Sequence, residues 1–384
     1  LKLPATPPPR PPILFLPLFL PIRRGMASGK GRKSARSPQP AAAANSRGFL
    51  WPWVWPLLYA AGAALGLLVA FVAWCVVRSR WCYKRKSGKQ QACATKGKPS
   101  KDADATRVRL YWAEVSQDSH IVHCCLQEKG VAFDKVALDA GHFGKYEHLR
   151  ADILAMCPNG TLPFIVHDDC PVIGTYFEVI DYIDQAFEGP PLVPRDSDRL
   201  KELEAMLQII CEQVGRPVAM LCRPCSVVFQ KYMSLPGVLG ALWRHPNPAV
   251  YLNQLFSLLM GFNNSMSQDF AVQSFKSLNL ALDTLEKRFE DGRDYLLGSF
   301  SVVDIALMAE FARLDQLGLL DMLLDDAARQ AAREGRGRVR AYWERLRARK
   351  SFEPSFRQAS GAGARELRDW FARFAEDIRE RGPV

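Results

Sequence analysis

Ser116 and Ser119, in the run Ala113-Glu-Val-Ser-Gln-Asp-Ser, place two hydroxyls where an apolar strand-like stretch gives way to a helical one. Exposed N–H groups at a helix start stabilise an anion, and a hydroxyl among them could donate a hydrogen bond to a bound thiol and favour its thiolate. Simple helix capping accounts for a serine at such a place equally well. Farther on, Leu162-Pro163 stands directly before Phe-Ile-Val. Proline removes a ladder hydrogen bond from a central strand, a loss avoided at the strand's first residue, and a cis bond is affordable only before proline. A cis Leu162-Pro163 bond would turn the N–H and C=O of Leu162 outward as a pairing edge for a short peptide. Thr175-Tyr-Phe-Glu178 then has capping-box spacing, so a helix should start there with N–H groups facing out, a start that attracts carboxylates.

Other groupings promise less chemistry. His120-x-x-His123-Cys124 has ligand-like spacing on one helix, and Cys222-Arg-Pro-Cys225 is a C-x-x-C. The first reads as helix surface and core. The second has no partner pair for zinc and follows no strand, so no metal site is expected. Ser301-Val-Val-Asp304 is a second capping box, opening an apolar helix from Ile305 to Phe311, and Asp304 reads as structural.

The elements that must position these residues follow from periodicity. Val108–Trp112 reads as a strand, about His120–Gly130 as a helix, Phe133–Leu138 as a strand and Tyr146–Met156 as an irregular helix. The Pro163 strand, a short strand at Pro171–Ile173 and the capped helix Tyr176–Phe187 come next. This β-α-β-α-β-β-α order is thioredoxin-like. From Asp198 the chain turns helical, with Leu200, Leu203, Met206, Leu207 and Ile210 at helical spacing, and helices near Val339–Arg349 and Arg365–Arg379 close it.

The chain of 384 residues has room for two domains, and 48% hydrophobic residues is a globular composition. Its net charge of +11 is unevenly placed: residues 1–106 carry 18 Lys and Arg against 2 Asp, and the rest 33 against 38 acids. The C-terminal part is mildly acidic, so nucleic acid is not an expected partner. Phe49 to Val77 holds no charge, and from Pro56 it would span roughly 33 Å as a helix. Trp51, Trp53 and Trp55 on one side and Trp74, Trp81 and Tyr83 on the other resemble interfacial belts. A transmembrane helix is therefore expected at 49–78, with Gly62 and Gly66 as a GxxxG pair. Arg78, Arg80, Lys84, Arg85, Lys86 and Lys89 behind it place the C-terminal part in the cytosol. The expected organisation is a disordered basic segment at 1–48, the span at 49–78, a basic linker at 79–106, a thioredoxin-like domain at 107–190, an all-helical domain at 191–360 with an apolar insertion at 215–264, and a C-terminal helix at 361–384. Residues 1–25, before the first Met at Met26, are assigned no function. Ten scattered cysteines fit reduced thiols better than a disulfide framework.

With these residues in view, 107–358 resembles the glutathione S-transferase superfamily. The matching pieces are L-Y-W-A-E-V-S, L-Q-E-K-G, P-N-G-T-L-P, D-Y-I-D, P-L-V-P-R-D, Y-L-L-G-S-F-S-V-V-D-I-A-L and A-Y-W-E-R-L-R-A-R-K-S-F, in the family's order. The resemblance implies the glutathione transferase fold, a thioredoxin-like domain followed by an all-α domain, with glutathione as co-substrate. It implies that Ser116 activates the thiol, with Ser119 in reserve, and the absence of Cys at both positions argues against a mixed-disulfide cycle. Leu162 and Pro163 match the backbone site for the glutathione cysteinyl group. Thr175 and Tyr176 stand where most members have Glu-Ser to hold the γ-glutamyl group, which keeps a hydroxyl and loses the acid, and His123 stands where Arg is common. The insertion borders the expected pocket for a hydrophobic electrophile, and it could equally face the membrane. The leading expectation is a membrane-anchored transferase that conjugates glutathione to such an electrophile, with membrane lipid around 49–78 and a homodimer open. The alternative is a non-catalytic adaptor of the same fold at a membrane surface.

Overall fold

The computed structural model of this chain describes residues 66, 67, 69–71, 73, 74, 107–222, 232–245, 251, 255, 265–324, 336–356, 369, 372, 373 and 376, all within the unit Ala60–Val384. Apolar alternation makes Val108–Trp112 the strand β1, with Val108, Leu110 and Tyr111 buried. Helix α1 (Gln117–Glu128) starts three residues before its expected place, because Ser116 is extended (φ −89°, ψ 121°) and its side chain accepts the Ser119 N–H. Gly130 ends the helix at φ 68°, a left-handed conformation that glycine adopts at little cost. Strand β2 is Phe133–Ala137.

The expected helix over 146–156 is broken in two. Asp139 collects the N–H groups of Gly141 and Phe143 (both 3.1 Å) and Lys145 (2.7 Å), winding the chain around its carboxylate. Tyr146 is left-handed (φ 51°), a 3-10 turn covers Glu147–Leu149, and Arg150 is extended before α2 (Ala151–Met156). Strand β3 (Phe164–His167), buried throughout, and β4 (Cys170–Val172) complete the sheet. Its order is β2-β1-β3-β4, with β1 parallel to β2, β3 antiparallel to β1, and β4 antiparallel to β3. Helix α3 (Tyr176–Ala186) follows.

Asp184, at the end of α3, fastens the link to the helical part. Its buried carboxylate takes Lys129 at 3.2 Å, Arg195 at 2.6 Å and the Leu192 N–H at 2.8 Å, which is why D-Y-I-D and P-L-V-P-R-D occur together. Asp196 then caps α4 (Ser197–Ile209), which runs through a π turn (Ile210–Gly215) into α5 (Arg216–Cys222). The remaining helices are α6 (Leu235–Arg244), α7 (Ser265–Arg288), α8 (Val302–Gln316), α9 (Leu320–Leu324), α10 (Gly337–Arg347) and α11 (Phe352–Phe356). Helix α8 is buried on nearly all sides, as a central helix is. One hydrophobic cluster runs from Val108 and Ile121 through α8 to Leu346 and Phe356, so the two expected domains share a core.

Asp304 is structural, as its spacing suggests. Fully buried at the start of α8, it accepts from the Leu296 N–H (3.0 Å), the Ser301 N–H (2.9 Å) and the Tyr342 hydroxyl (2.8 Å). Described parts of the insertion pack against the thioredoxin-like half: Val238, Leu242, Tyr251 and Leu255 cluster with Tyr146 and Leu149, and the Tyr251 hydroxyl lies 2.5 Å from His148 Nε2. Among the described residues no helix is long and apolar enough to cross a membrane. The expected span lies outside them apart from Gly66, Leu67, Val69, Ala70, Phe71, Ala73 and Trp74, which are helical, and the linker and basic N-terminal segment lie outside them altogether. Of the expected C-terminal helix, Asp369, Ala372, Arg373 and Glu376 are described and helical.

Candidate functional site

Four chain segments carry or adjoin the expected site residues, with β3 starting beside the end of β1 through the Tyr111–Phe164 pair and α8 meeting the start of α1 through Gln117 and Glu310. The first is the β1–α1 turn. Ser116 is half-exposed at the cap, its N–H donating to Ala113 O at 3.0 Å. Ser119, expected as a reserve hydroxyl, is corrected by its depth: it is 0% exposed, and its Oγ accepts the Ala113 N–H at 3.1 Å. A hydroxyl engaged below the turn fixes the backbone and does not meet a ligand above it.

The second segment is the turn before β3, where the Leu162-Pro163 bond is cis. Leu162 is half-buried and Pro163 buried. The third is the start of α3, where the capping box closes on itself. The Thr175 N–H donates to Glu178 Oε2 at 2.7 Å, the Thr175 hydroxyl to the same oxygen at 3.1 Å, and the Glu178 N–H to Thr175 Oγ1 at 3.3 Å. A Cβ on Gly174 would lie 2.4 Å from Glu178 Oε2, so glycine makes room for this carboxylate. The helix start is therefore less open to a ligand carboxylate than its spacing suggests. It also carries a negative charge beside position 175, where the resemblance implies that an acid has been lost.

The fourth segment is the helical wall formed by the π turn and α8. Tyr176 faces it half-buried, its hydroxyl pushed up to about 12 by burial, with the charges of Asp118, Cys211 and Glu310 acting in the same direction. It is therefore a neutral hydroxyl at any physiological pH. Burial raises Glu310 to about 7, against the Gln117 hydrogen bond and the Arg313 charge that lower it. Asp118 is likewise raised by burial. Gln117 Nε2 donates to Glu310 Oε2 at 2.7 Å, joining the residue after Ser116 to α8. On the other side of Ser116, Arg313 donates to Val115 O at 3.2 Å. Glu310 and Arg313 escaped the sequence reading; a charged pair inside an otherwise apolar helix was the available signal.

His123 and Cys124 are buried in the core, with desolvation lowering the imidazole to about 4 and raising the thiol to about 12. Cys222 is half-buried with its thiol raised by burial, and Cys225 lies outside the described residues. No cluster fit to hold a metal ion occurs among the described residues.

Residues 110–191 match the sequence model of the family described as glutathione S-transferase, N-terminal domain. Among curated proteins, the chain is similar to glutathione S-transferase 1 of Dianthus caryophyllus, 32% identical over 94 residues that make up 24% of this chain and 41% of that protein. It is also similar to glutathione S-transferase Z1 of Arabidopsis thaliana, 31% identical over 90 residues, 23% of this chain and 39% of that protein. The chain thus spans about two fifths of the length of these relatives. Among solved structures it superimposes on the β-etherase LigF of a Sphingobium species with a TM-score of 0.51 at 20% identity, covering 66% of this chain and 99% of that one. Residues 110–191 are thus similar to the N-terminal domain of glutathione S-transferases, and the fold, a thioredoxin-like part followed by helices, is like that of this solved structure.

Proposed function

We propose that this chain is a membrane-anchored glutathione transferase in which the Ser116 hydroxyl stabilises the glutathione thiolate. What supports this reading is that a half-exposed Ser116 at the start of α1, the Leu162-Pro163 turn before β3 and the capped start of α3 all fall within residues 110–191, the stretch similar to the glutathione S-transferase N-terminal domain. The peptide backbone of glutathione pairs with Leu162, its γ-glutamyl end lies at the Thr175-Tyr176 start of α3, and its sulfur approaches Ser116. The hydroxyl and the first N–H groups of α1 favour the ionised sulfur, the thiol proton passing to water. The thiolate then attacks an electrophilic carbon, forming a C–S bond as the leaving group departs with its electron pair. Holding both partners together contributes the rest of the rate.

The apolar insertion supports a hydrophobic electrophile and a membrane setting alike. From Gly215 to Asn264 it carries Arg216, Arg223, Lys231 and Arg244 and no Asp or Glu, a balance suited to an anionic lipid surface. The uncharged run from Phe49 to Val77 supplies the anchor, with the C-terminal part in the cytosol.

A second reading, an adaptor without turnover, is favoured by one feature: the start of α3 is capped by its own Glu178 and lacks an acid at position 175. Glutathione-affinity capture of the detergent-solubilised full chain, combined with a chlorodinitrobenzene assay, separates the two. Retention and turnover that disappear in Ser116→Ala support the transferase. No binding at millimolar glutathione supports the adaptor.

A further inference from the structure

Residues 114, 115 and 117, which surround Ser116 in the chain, are each tied to a partner outside the β1–α1 turn. Arg313 donates to Val115 O at 3.2 Å, and Gln117 donates to Glu310 Oε2 at 2.7 Å. Glu310 and Arg313 are three apart on α8 and so share one face of it. Glu114 O lies 2.7 Å from His120 Nε2, and the other nitrogen of that ring lies 2.5 Å from Ser355 O of α11. Gln316, three residues beyond Arg313, donates to Phe356 O at 3.2 Å. A Cβ at Gly215, in the π turn, would come within 3.0 Å of Glu310 Oε1, so this glycine leaves the room that Glu310 occupies.

We propose that α8 is a clamp that positions Ser116, with Arg313 holding the residue before it and Glu310 holding the residue after it. The inference rests on Ser116 being the working hydroxyl, and it adds that the helical domain sets the direction in which that hydroxyl faces. Holding the Val115 carbonyl on one side and the Gln117 side chain on the other restricts the turn and leaves the Ser116 side chain mainly its own rotamer to choose. A hydrogen bond aimed at a thiolate has a narrow working geometry, and the β1–α1 turn lies at the surface, where its backbone would otherwise have freedom. Glu310 and Arg313 are positioning residues, acting on the sulfur through the turn.

The test is hydrogen–deuterium exchange of the 113–119 backbone in the detergent-solubilised full chain, alongside ultraviolet titration of the bound glutathione thiol. Arg313→Met removes the donor, and exchange of 113–119 should rise about tenfold, the effect of losing one ordinary hydrogen bond. Arg313→Lys keeps a donor and should restore most of the protection. Glu310→Ala should loosen the same segment, while Glu310→Gln keeps an acceptor and should not. In Arg313→Met the bound thiol should also ionise at a higher pH than in wild type, returning toward the wild-type value in Arg313→Lys. Unchanged exchange at 113–119 in both Arg313→Met and Glu310→Ala overturns the clamp, as does an equal rise throughout the chain. Loosening confined to 113–119 in a protein that binds no glutathione upholds the clamp and removes the transferase reading instead.

Discussion

Arg349 meets Glu128 in a two-point ion pair, Nε at 2.7 Å and Nη2 at 2.6 Å from the two carboxylate oxygens, joining residues 221 apart in the chain. Ser351 donates to the same carboxylate, the Tyr295 hydroxyl lies 3.0 Å from Arg349 Nη1, and the guanidinium rests over the Phe300 ring at 3.5 Å. Two of the sequence motifs, L-Q-E-K-G and R-A-R-K-S-F, thus exist to hold each other. Burial pushes Glu128 up, and Arg349 and Ser351 outweigh it to leave the carboxyl below its ordinary value.

Arg349→Met should cost about 2–4 kcal/mol in urea unfolding, because it leaves a mostly buried carboxylate unpaired. Arg349→Lys should recover only part of this, since an ammonium cannot make the two-point contact or lie flat on Phe300. Glu128 is held below its unfolded value, so its contribution is present above the unfolded carboxyl range and lost as pH falls through the folded one. The Arg349→Met deficit should therefore shrink in acid.

Glu310 gives the opposite sign. Its folded carboxyl, near 7, lies above its ordinary 4.5, so its protonated form is favoured by folding. That contribution is complete below about pH 4.5 and is lost as pH rises through about 7, a change of roughly 3 kcal/mol. Glu310→Gln cannot ionise. Relative to wild type, its melting temperature should rise at pH 8 more than at pH 5.

Asp304→Ala should destabilise by roughly 2–4 kcal/mol, through unsatisfied donors at Leu296, Ser301 and Tyr342. Tyr342→Phe removes one donor and should cost about 1 kcal/mol in the same unfolding assay.

The start of α3 makes a sharper prediction about glutathione. Thr175→Glu alone places a second carboxylate beside Glu178, and their repulsion blunts any gain. The double variant Thr175→Glu/Glu178→Ala opens the cap and supplies an acid at position 175. It should bind glutathione about tenfold more tightly by calorimetry, about 1.4 kcal/mol, with the single variant well short of that.

What could be read from the residues in order was what short-range geometry determines. The cis turn at Leu162-Pro163, the boxes at Thr175 and Asp304 and the thioredoxin-like order each depend on neighbours a few positions away. Ser116 leads and Ser119 stands in reserve only through the family resemblance, because residue type does not reveal depth; the fold buries the Ser119 hydroxyl under the turn and leaves that of Ser116 at the cap. The break at Arg150 depends on Asp139 gathering three N–H groups, which no helical periodicity signals. Contacts such as Gln117 with Glu310, 193 residues apart, follow only from the packing of α8 against α1.

Stabilisation of the glutathione thiolate by Ser116 can be read out by ultraviolet titration of the bound thiol. In the wild-type chain the bound thiol should ionise well below the ordinary thiol value of about 8.5, and Ser116→Ala should move it back toward that value while Ser119→Ala acts through stability. Bound glutathione that titrates identically in wild type and Ser116→Ala would contradict the account.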